Sequence, residues 1–175
     1  MANREALREL QTRLAARLQA ARAEGLSVSS WLAVESAGHR FLLPLGQSGE
    51  IFSWAGVQVV PYTQPWFLGV ANLRGALNGV IDLAALLGEA APRSEQAFAD
   101  ASLLAFNAAL GVNAALLVDR LAGLRGTDAF VSSEPPDEGA PSFFGTYYVD
   151  AQGVRWQEIN LQALSQHPEF LSISA

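Results

Sequence analysis

The sequence predicts a mainly β domain of small barrels, preceded by an amphipathic helix. The first 24 residues carry leucines at intervals of three and four positions, which is the periodicity of one helix face. From position 30 onward, short runs of β-forming residues alternate with glycine-containing turns, and about eight such runs are typical of small β-barrels. At 175 residues the chain is long enough for one domain, or for two small halves that share a core.

The N-terminal helix is predicted from an apolar stripe, and the five arginines of this segment fall mostly off it. Gly25 is well placed to end the helix. Such a helix either packs on its own domain, or docks on a partner helix or self-associates. A role at a membrane surface is less favoured because the stripe has no Trp or Phe. The stripe consists of Leu7, Leu10, Leu14, Leu18 and Ala21.

The strands are predicted from β-forming runs and turn residues. Gly38 suits a hairpin turn that needs a positive φ angle, so the first two strands should pair across it. The strands are expected at 31–36, 40–45, 57–60, 77–81, 103–108, 114–118, 146–149 and 154–158.

Short helices and loops punctuate this β body. Asp82 and Asn160 can each cap the helix that follows them. The loops are predicted where small, polar and proline-containing stretches interrupt the pattern. The helices are expected at 82–87 and Leu161–Gln166, and the loops at 88–101 and 132–141.

Composition excludes several classes of function. Charged residues make up 16% of the chain, below the roughly 25% of an average domain, so disorder is not expected. Residues 1–24 hold five arginines and three acidic residues, so the formal net charge of −6 leaves −8 for the rest, which nucleic acid would repel. There is no cysteine, no long apolar run and no signal-peptide pattern. We expect a cytoplasmic protein without direct membrane insertion.

No catalytic, metal or cofactor site is predicted. His39 lies in the predicted hairpin turn and His167 lies beside Pro168, and no Gly-x-Ser-x-Gly elbow accompanies them. Two isolated histidines without cysteine provide no ligand spacing for zinc. A phosphate loop needs a lysine, and all eleven cations are arginines. An enzyme with an unrecognised site would depend on His39, the histidine near a plausible turn.

The segment from Gly69 to Gly75 is the strongest candidate for binding. It places Arg74 within a nearly continuous apolar run, where a charge must be paired, solvated or presented to a partner. The guanidinium could form an internal salt bridge with Asp82 or Glu50, could bind a partner's carboxylate or carbonyl groups, or could do both. Asn72 of the same segment suits a turn, in which its side chain bonds the local backbone.

Several motifs, taken in their order and spacing, resemble the CheW family of chemosensory coupling proteins. The resemblance implies a mainly β, CheW-like fold of two five-stranded SH3-like β-barrels that share a core, with a short C-terminal helix. It divides the chain into an N-terminal helical extension, 1–28, and a CheW-like domain, 29–175. The motifs are Phe41-Leu-Leu-Pro-Leu45, Glu50-Ile51, Val60-Pro61, Asn72-Leu-Arg-Gly75, Val80-Ile-Asp-Leu83 and Leu116-Leu-Val-Asp119.

The resemblance also implies which residues bind partners. In CheW-like proteins the Asn-Leu-Arg-Gly segment lies near the surfaces that contact the kinase and the receptor. The acidic-aliphatic step at positions 50–51 matches the family as well, and Trp54 beyond it either completes the core or contacts a partner. The predicted partner-binding residues are Asn72, Arg74, Gly75, Glu50, Ile51 and Trp54.

The implied function is that of a non-catalytic adaptor. It would couple the cytoplasmic tip of a methyl-accepting chemoreceptor, held in an apolar groove, to a CheA-like histidine kinase. The long N-terminal helix and the tail at 167–173 are more similar to the pilus-associated PilI type, so twitching motility is the expected output. The alternative is a stand-alone β-barrel that binds a small ligand, or a structural subunit unrelated to signalling.

Three departures from the family pattern concern strand geometry. Ala115 stands where a glycine is frequent before Leu-Leu-Val-Asp. Gly79 stands where a proline usually precedes Val-Ile-Asp-Leu, and residues 46–49 replace a stretch in which a valine is common. We expect altered local geometry at these strands without a change of fold.

Overall fold

The computed structural model of the chain describes residues 2–23, 30–89 and 92–175, and strands dominate these ranges. The mainly β class is therefore confirmed. Within the described ranges, no helix combines the length and hydrophobicity that crossing a bilayer requires.

The strands are β1 (Ser30–Ser36), β2 (His39–Pro44), β3 (Ser48–Ser53), β4 (Phe67–Leu73), β5 (Ala76–Asp82), β6 (Ser102–Phe106), β7 (Ala114–Val118), β8 (Arg120–Gly126), β9 (Phe130–Glu134), β10 (Phe144–Asp150) and β11 (Arg155–Ile159). The α-helices are α1 (Ala2–Ala23), α2 (Leu83–Leu86), α3 (Glu95–Asp100), α4 (Leu161–Gln166) and α5 (Pro168–Leu171).

The strands form two sheets. The first has six strands in the order β8-β1-β2-β11-β10-β9, and the second has five in the order β3-β6-β7-β5-β4. The edge strands of the first sheet, β8 and β9, are joined by the short 3-10 helix Thr127–Ala129. Because three residues span at most about 10 Å, the sheet must curl until its edges come close. The prediction of two small β subdomains is confirmed, with six strands rather than five in the first.

The predicted hairpin and helix caps are confirmed. Gly38 has a φ of 79° in the turn between β1 and β2, which pair antiparallel. Helix α4 spans the predicted residues, and the Asn160 side chain accepts a hydrogen bond of 3.0 Å from the Ala163 N–H. Asp82 caps α2 by accepting a bond of 3.3 Å from Ala85 N–H. Local capping chemistry therefore predicts both helix starts correctly.

Three other predictions about chain segments are wrong in whole or in part. Residues 57–60 form no strand, because only Gln58 pairs, in an isolated bridge with Val70. The predicted loop at 88–101 contains α3, whose start is capped by the Ser94 hydroxyl. The predicted loop at 132–141 begins inside β9, but residues 135–141 belong to no helix or strand, so this loop is confirmed apart from its first three residues. Strands β3, β4, β8 and β9 are absent from the predicted set.

Of the three expected irregularities, one is present. At Ala115, β7 pairs in regular register with both β5 and β6. At Gly79, β5 pairs in regular parallel register with β7. A Cβ at this position would lie 2.8 Å from the ring of Phe67, so the ring occupies the space that a side chain would need. In β3 the pairing with β6 shifts register between Ser48 and Ile51, so that strand is irregular as expected.

The main core joins both sheets and α1. Leu14 and Leu18 of α1 are 7% and 1% exposed, and the helix packs against β3 and β8. The helix therefore packs on its own domain, while Leu10 on the same stripe stays 49% exposed. The burial of Ala21 and the position of Gly25 lie outside the described residues. Other members of this core include Leu32, Val34, Leu43, Leu45, Ile81, Leu104, Leu116, Val118 and Ile159.

A charge cluster joins three strands of the six-stranded sheet. Glu35 of β1 lies directly opposite Arg40 of β2 and Arg120 of β8. Arg120 donates two hydrogen bonds to the Glu35 carboxylate, at 3.0 and 2.8 Å. These bonds, supported by the nearby charge of Arg40, hold the pKa of Glu35 below its ordinary value.

Because folding lowers the pKa of Glu35, the free energy of unfolding should decrease as the pH is lowered below about 4.5, the ordinary pKa of this residue. A carboxyl whose pKa is lowered by folding stabilises the protein above that pH, and the contribution is lost as the pH falls through the lower folded value. Glu35→Gln should make the fall in stability shallower, measured by chemical unfolding at a series of acidic pH values. The exposed Glu138→Gln is the control. Identical pH profiles for Glu35→Gln and the unmodified protein would contradict this account.

Candidate partner-binding site

The β4–β5 hairpin carries three of the predicted partner-binding residues. Leu73 and Ala76 pair across the strands, which leaves Arg74 and Gly75 as a two-residue turn. Both turn residues have positive φ angles, 51° and 83°, as a type I′ turn requires. Asn72 closes the turn, because its Oδ1 accepts a hydrogen bond of 2.8 Å from the Gly75 N–H. The predicted role of Asn72 in a turn is confirmed.

Arg74 is the unusual residue of this turn. The left-handed conformation costs a residue other than glycine roughly 1–2 kcal/mol, and Asn or Asp tolerates it better. Arginine is therefore not the residue that would best stabilise the turn. Its guanidinium forms an ion pair with Glu50, not with Asp82, and its side chain remains 72% exposed. The hairpin thus presents an oriented cation to solvent.

The other three predicted residues lie on or just beyond β3, in different surroundings. Glu50 is half-buried and pairs with Arg74. Ile51 is 9% exposed and belongs to the main core, where it supports β3. Trp54 is half-buried, with its ring 4.8 Å from that of Phe98 on α3. The structure therefore brings four of the six together, and we call Asn72, Arg74, Gly75 and Glu50 the hairpin face.

A shallow groove of about 320 Å³ runs along the hairpin face. Leu77, opposite Asn72 on β5, is 63% exposed beside it. An exposed leucine next to a charged pair and polar amides resembles the mixed surfaces that proteins use to bind one another. The groove is lined by Gly49, Glu50, Phe52, Leu73, Arg74, Asn78, Ala105, Phe106, Asn107 and Ala108.

A larger groove of about 770 Å³ lies between the two sheets, and we call it the intersheet groove. Strands β2, β10 and β11 form one side, whereas α2 and the segment before β4 form the other. The family resemblance implies an apolar groove, but the sequence does not give its location. Its apolar lining consists of Phe41, Trp66, Ala85, Leu86, Leu87, Pro141, Phe143, Phe144 and Tyr147.

Polar groups also line the intersheet groove. The guanidinium of Arg155 lies 4.0 Å from the centre of the Tyr147 ring, and the Tyr147 hydroxyl donates to Asp137 at 3.3 Å. Burial and the negative charge of Asp137 raise the pKa of Tyr147. Gln157 donates from Nε2 to two backbone carbonyls, whereas its Oε1 is buried without a hydrogen-bond partner among the described residues.

Sequence reasoning missed a buried ion cluster of Arg93, Asp82 and Asp119, which we call the Arg93 cluster. Arg93 binds both oxygens of Asp82 and donates from Nε to Asp119 at 2.6 Å. Asp119 in turn accepts a hydrogen bond of 2.7 Å from the Ala37 N–H after β1. Burial disfavours the charge of Arg93, but the hydrogen bonds that Arg93 donates to the two carboxylates outweigh this effect and raise its pKa. The cluster ties both sheets to the segment before α3.

The Arg93 cluster could have been inferred from the sequence only together with the pairing of two strands. Asp82 ends β5 and Asp119 directly follows β7, and these two strands are parallel neighbours. The carboxyl ends of parallel neighbours lie at the same edge of a sheet, so two carboxylates there need a cation between them. The register of the strands, which the sequence alone does not give, is needed to see this.

The two histidines have structural contacts. His39 pairs with Glu89 at 3.5 Å, where the contact is ionic if His39 is protonated. The Nδ1 of His167 accepts a hydrogen bond of 3.3 Å from the Glu169 N–H at the start of α5, and its ring packs edge-on against Phe143. Within the described ranges, neither histidine is hydrogen-bonded to a serine or threonine hydroxyl. This is not the arrangement of a hydrolase triad.

Comparison with known proteins identifies the family. A model of the CheW-like domain matches residues 30–169, which leaves α1 and the last six residues outside the match. The chain is 31% identical to protein PilI of Pseudomonas aeruginosa over 155 residues, covering 85% of this chain and 83% of that protein.

The fold has a counterpart among solved structures. The crystal structure of the scaffolding protein TtCheW from Thermoanaerobacter tengcongensis matches with a TM-score of 0.61. The match covers 75% of this chain and 88% of that one, at 19% identity. At this level of identity the likeness establishes a shared fold.

Proposed function

Since the chain belongs to the CheW-like domain family, we propose that it is a non-catalytic adaptor that couples a methyl-accepting chemoreceptor to a CheA-like histidine kinase. The similarity to PilI supports a role in a pilus-associated chemosensory system, with twitching motility as its output. Binding would be the whole mechanism, and each contact can be weak, because linked sites gain avidity without new contacts. Such an adaptor would act in the cytoplasm.

The hairpin face is the proposed site for the CheW-like domain of the kinase. The observation that carries this assignment is the strained, exposed turn of Arg74 and Gly75. Backbone strain persists where the surrounding structure enforces it, and it is concentrated at functional sites. Here an arginine occupies a position that an asparagine would fill at lower cost, and its guanidinium is held towards solvent by Glu50.

The intersheet groove is the proposed site for the receptor tip. A helical hairpin that presents an apolar stripe needs a groove with apolar walls, and aromatic rings from both sides of the intersheet groove provide them. None of its lining residues belongs to the hairpin face. The two partners would therefore occupy separate surfaces, as an adaptor requires.

A ligand-binding barrel is less well supported. The interior of the six-stranded sheet is filled by aromatic rings, with Trp31 centred 5.8 Å from Phe130 and 4.7 Å from Tyr148. The indole N–H of Trp31 also donates to Glu158 at 2.5 Å. A side-chain-filled interior leaves little room for a small molecule.

Titration of the kinase's CheW-like domain into this protein by calorimetry, alongside Arg74→Asn, tests the proposal. Asparagine fits the left-handed turn, so the variant should be as stable as the unmodified protein or slightly more so. Kinase affinity should fall about tenfold, because the charged donor is lost. A lower melting temperature with unchanged affinity would show that Arg74 serves the fold instead.

Arg120→Asn is the matched control for this titration. It also removes an exposed arginine that is paired with a glutamate, but from β8 of the other sheet. It should leave kinase affinity unchanged. An equal loss of kinase affinity in both variants would mean that the net charge of the protein, and not the hairpin face, determines binding.

A further inference from the structure

Exposed apolar side chains are concentrated in one part of the molecule. Among the described residues, seven large apolar side chains are exposed, and four of them lie in the β3–β4 connection or the C-terminal tail. Tyr62 and Val59 of the connection are 89% and 74% exposed, and Leu171 and Ile173 of the tail are 59% and 37% exposed. The connection from 57 to 66 carries no charged residue.

These two segments are hydrogen-bonded to each other. Thr63 pairs with Ser174, and the Gln64 N–H donates to the carbonyl of Ile173 at 2.8 Å. The Ala175 N–H donates to the carbonyl of Tyr62 at 3.0 Å. The connection and the tail therefore form one continuous ridge, which we call the tail ridge (residues 62–64 and 173–175).

The tail ridge continues the wall of the intersheet groove. Gln64, which is bonded to the tail through both its backbone N–H and its side chain, also lines that groove, as do Trp66 and Glu169. Ile173 is hydrogen-bonded directly to Gln64, and Tyr62 lies two positions before Gln64, so both residues flank the groove where Gln64 lines it. The patch thus borders a groove already proposed to hold a partner.

The tail is held in place by a buried aromatic residue. Phe170 is 4% exposed and stacks on Trp66 and Phe106, with ring centres 6.4 and 5.6 Å apart. Pro168 at the start of α5 and the His167 side chain that caps it fix the direction of the chain. The exposure of Leu171 and Ile173 therefore belongs to an ordered structure.

Tyr62 provides a second, independent observation. Its φ of 59° is left-handed, which costs an aromatic residue free energy, and its ring gains almost no packing in return at 89% exposure. Neither the turn nor the core needs a tyrosine at this position. A strained turn that exposes an unpacked aromatic ring indicates a binding surface. Tyrosine is enriched among the interface residues that contribute most of the binding energy.

We propose that Tyr62 and Ile173 extend the intersheet groove and bind the apolar stripe of the chemoreceptor's helical tip. This inference rests on the proposed function, because it assumes that the receptor occupies the groove. It adds an uncharged, apolar ridge to the receptor site, and Ile173 lies beyond the last residue matched by the family model. A receptor that uses this ridge should carry apolar, not charged, residues where its helix leaves the groove.

Binding of a soluble receptor fragment that contains the hairpin tip, from the same cell, tests the inference. We would compare the full chain with Tyr62→Asn, Ile173→Ser and the double variant, and measure the melting temperature of each. Asparagine tolerates the left-handed turn, so the fold should be retained. Val131→Ser is the matched control, because Val131 is 70% exposed on β9 and lines neither groove.

The double variant should bind the receptor fragment at least about tenfold more weakly, a loss expected when two apolar contacts are removed. It should bind the kinase domain within about twofold of the unmodified protein, and Val131→Ser should resemble the unmodified protein in both assays. Receptor affinity of the double variant within twofold of the unmodified protein would overturn the inference and leave the proposed function intact. Failure of the unmodified protein to bind the receptor fragment would overturn both the inference and the proposed function.

Sedimentation of the chain alone distinguishes a second possible occupant. If the unmodified chain self-associates and the double variant does not, while receptor affinity is unchanged, the tail ridge is a contact between copies of this chain. That result would also overturn the inference.

Discussion

Replacing Arg93 with leucine is expected to lower the free energy of unfolding by about 3–5 kcal/mol, the usual effect of removing one partner from a buried ion pair. The side chains of Arg93 and Asp82 are 7% and 8% exposed, and Asp119 is 37% exposed. Leucine would fill much of the volume but leave a buried carboxylate without its cation. Urea unfolding at neutral pH would measure the loss.

Two comparisons make this prediction specific. Arg120→Leu removes an arginine whose side chain is 65% exposed, and it should cost at most about 1 kcal/mol. Adding Asp82→Asn to Arg93→Leu should restore part of the stability, because asparagine still caps α2 but carries no charge. A loss below about 1 kcal/mol for Arg93→Leu, or no recovery in the double variant, would contradict the role of the Arg93 cluster.

Phe170→Ala is expected to lower the free energy of unfolding by about 3–5 kcal/mol, as for other large aromatic side chains truncated in a core. Phe170 lies between Trp66 and Phe106 and connects α5 to the main core. Its removal leaves a cavity that neighbouring rings cannot fill without moving. Thermal and chemical unfolding of the variant would measure the effect.

The neighbouring residue supplies the control. Leu171 is 59% exposed in the same helix, so Leu171→Ala should change stability by less than about 0.5 kcal/mol. Since Phe170 positions the tail ridge, Phe170→Ala should also weaken receptor binding under conditions in which the protein is still folded. Equal stabilities of the two variants would show that α5 is not packed on the core.

Local sequence signals predicted much of the fold. Gly38, a residue type that permits the positive φ found in the turn, indicated the first hairpin. Asp82 and Asn160 indicated the starts of two helices. Each of these features depends on residues within a few positions of one another. The same is true of the β4–β5 turn, where Asn72 and Gly75 together determine the local geometry.

The missed strands have less distinctive sequences. Strand β4 contains Gly69, which weakens a strand pattern, yet a Cβ there would lie 2.3 Å from the carbonyl oxygen of Gln58. The glycine is needed because another part of the backbone approaches closely, and no local pattern reveals that approach. Strand β8 is partly exposed along most of its length and contains two glycines, Gly123 and Gly126, so it shows no clear alternation.

Only the part of the candidate site that is formed by residues close together in the sequence was predictable. The hairpin face follows from adjacent residues and from Glu50, one of two partners considered for Arg74. The intersheet groove and the tail ridge combine segments that lie more than 100 positions apart, such as Gln64 and Ser174. Their composition depends on tertiary packing, which periodicity and motif spacing do not specify.

Simultaneous binding of both partners tests the central claim most directly. The receptor fragment, this protein and the kinase's CheW-like domain would be mixed and their complexes sized by sedimentation velocity. We predict a complex that contains all three components, because the hairpin face and the intersheet groove share no residue. Displacement of the receptor fragment by the kinase domain, with only two-component complexes present, would contradict the assignment of this protein as an adaptor.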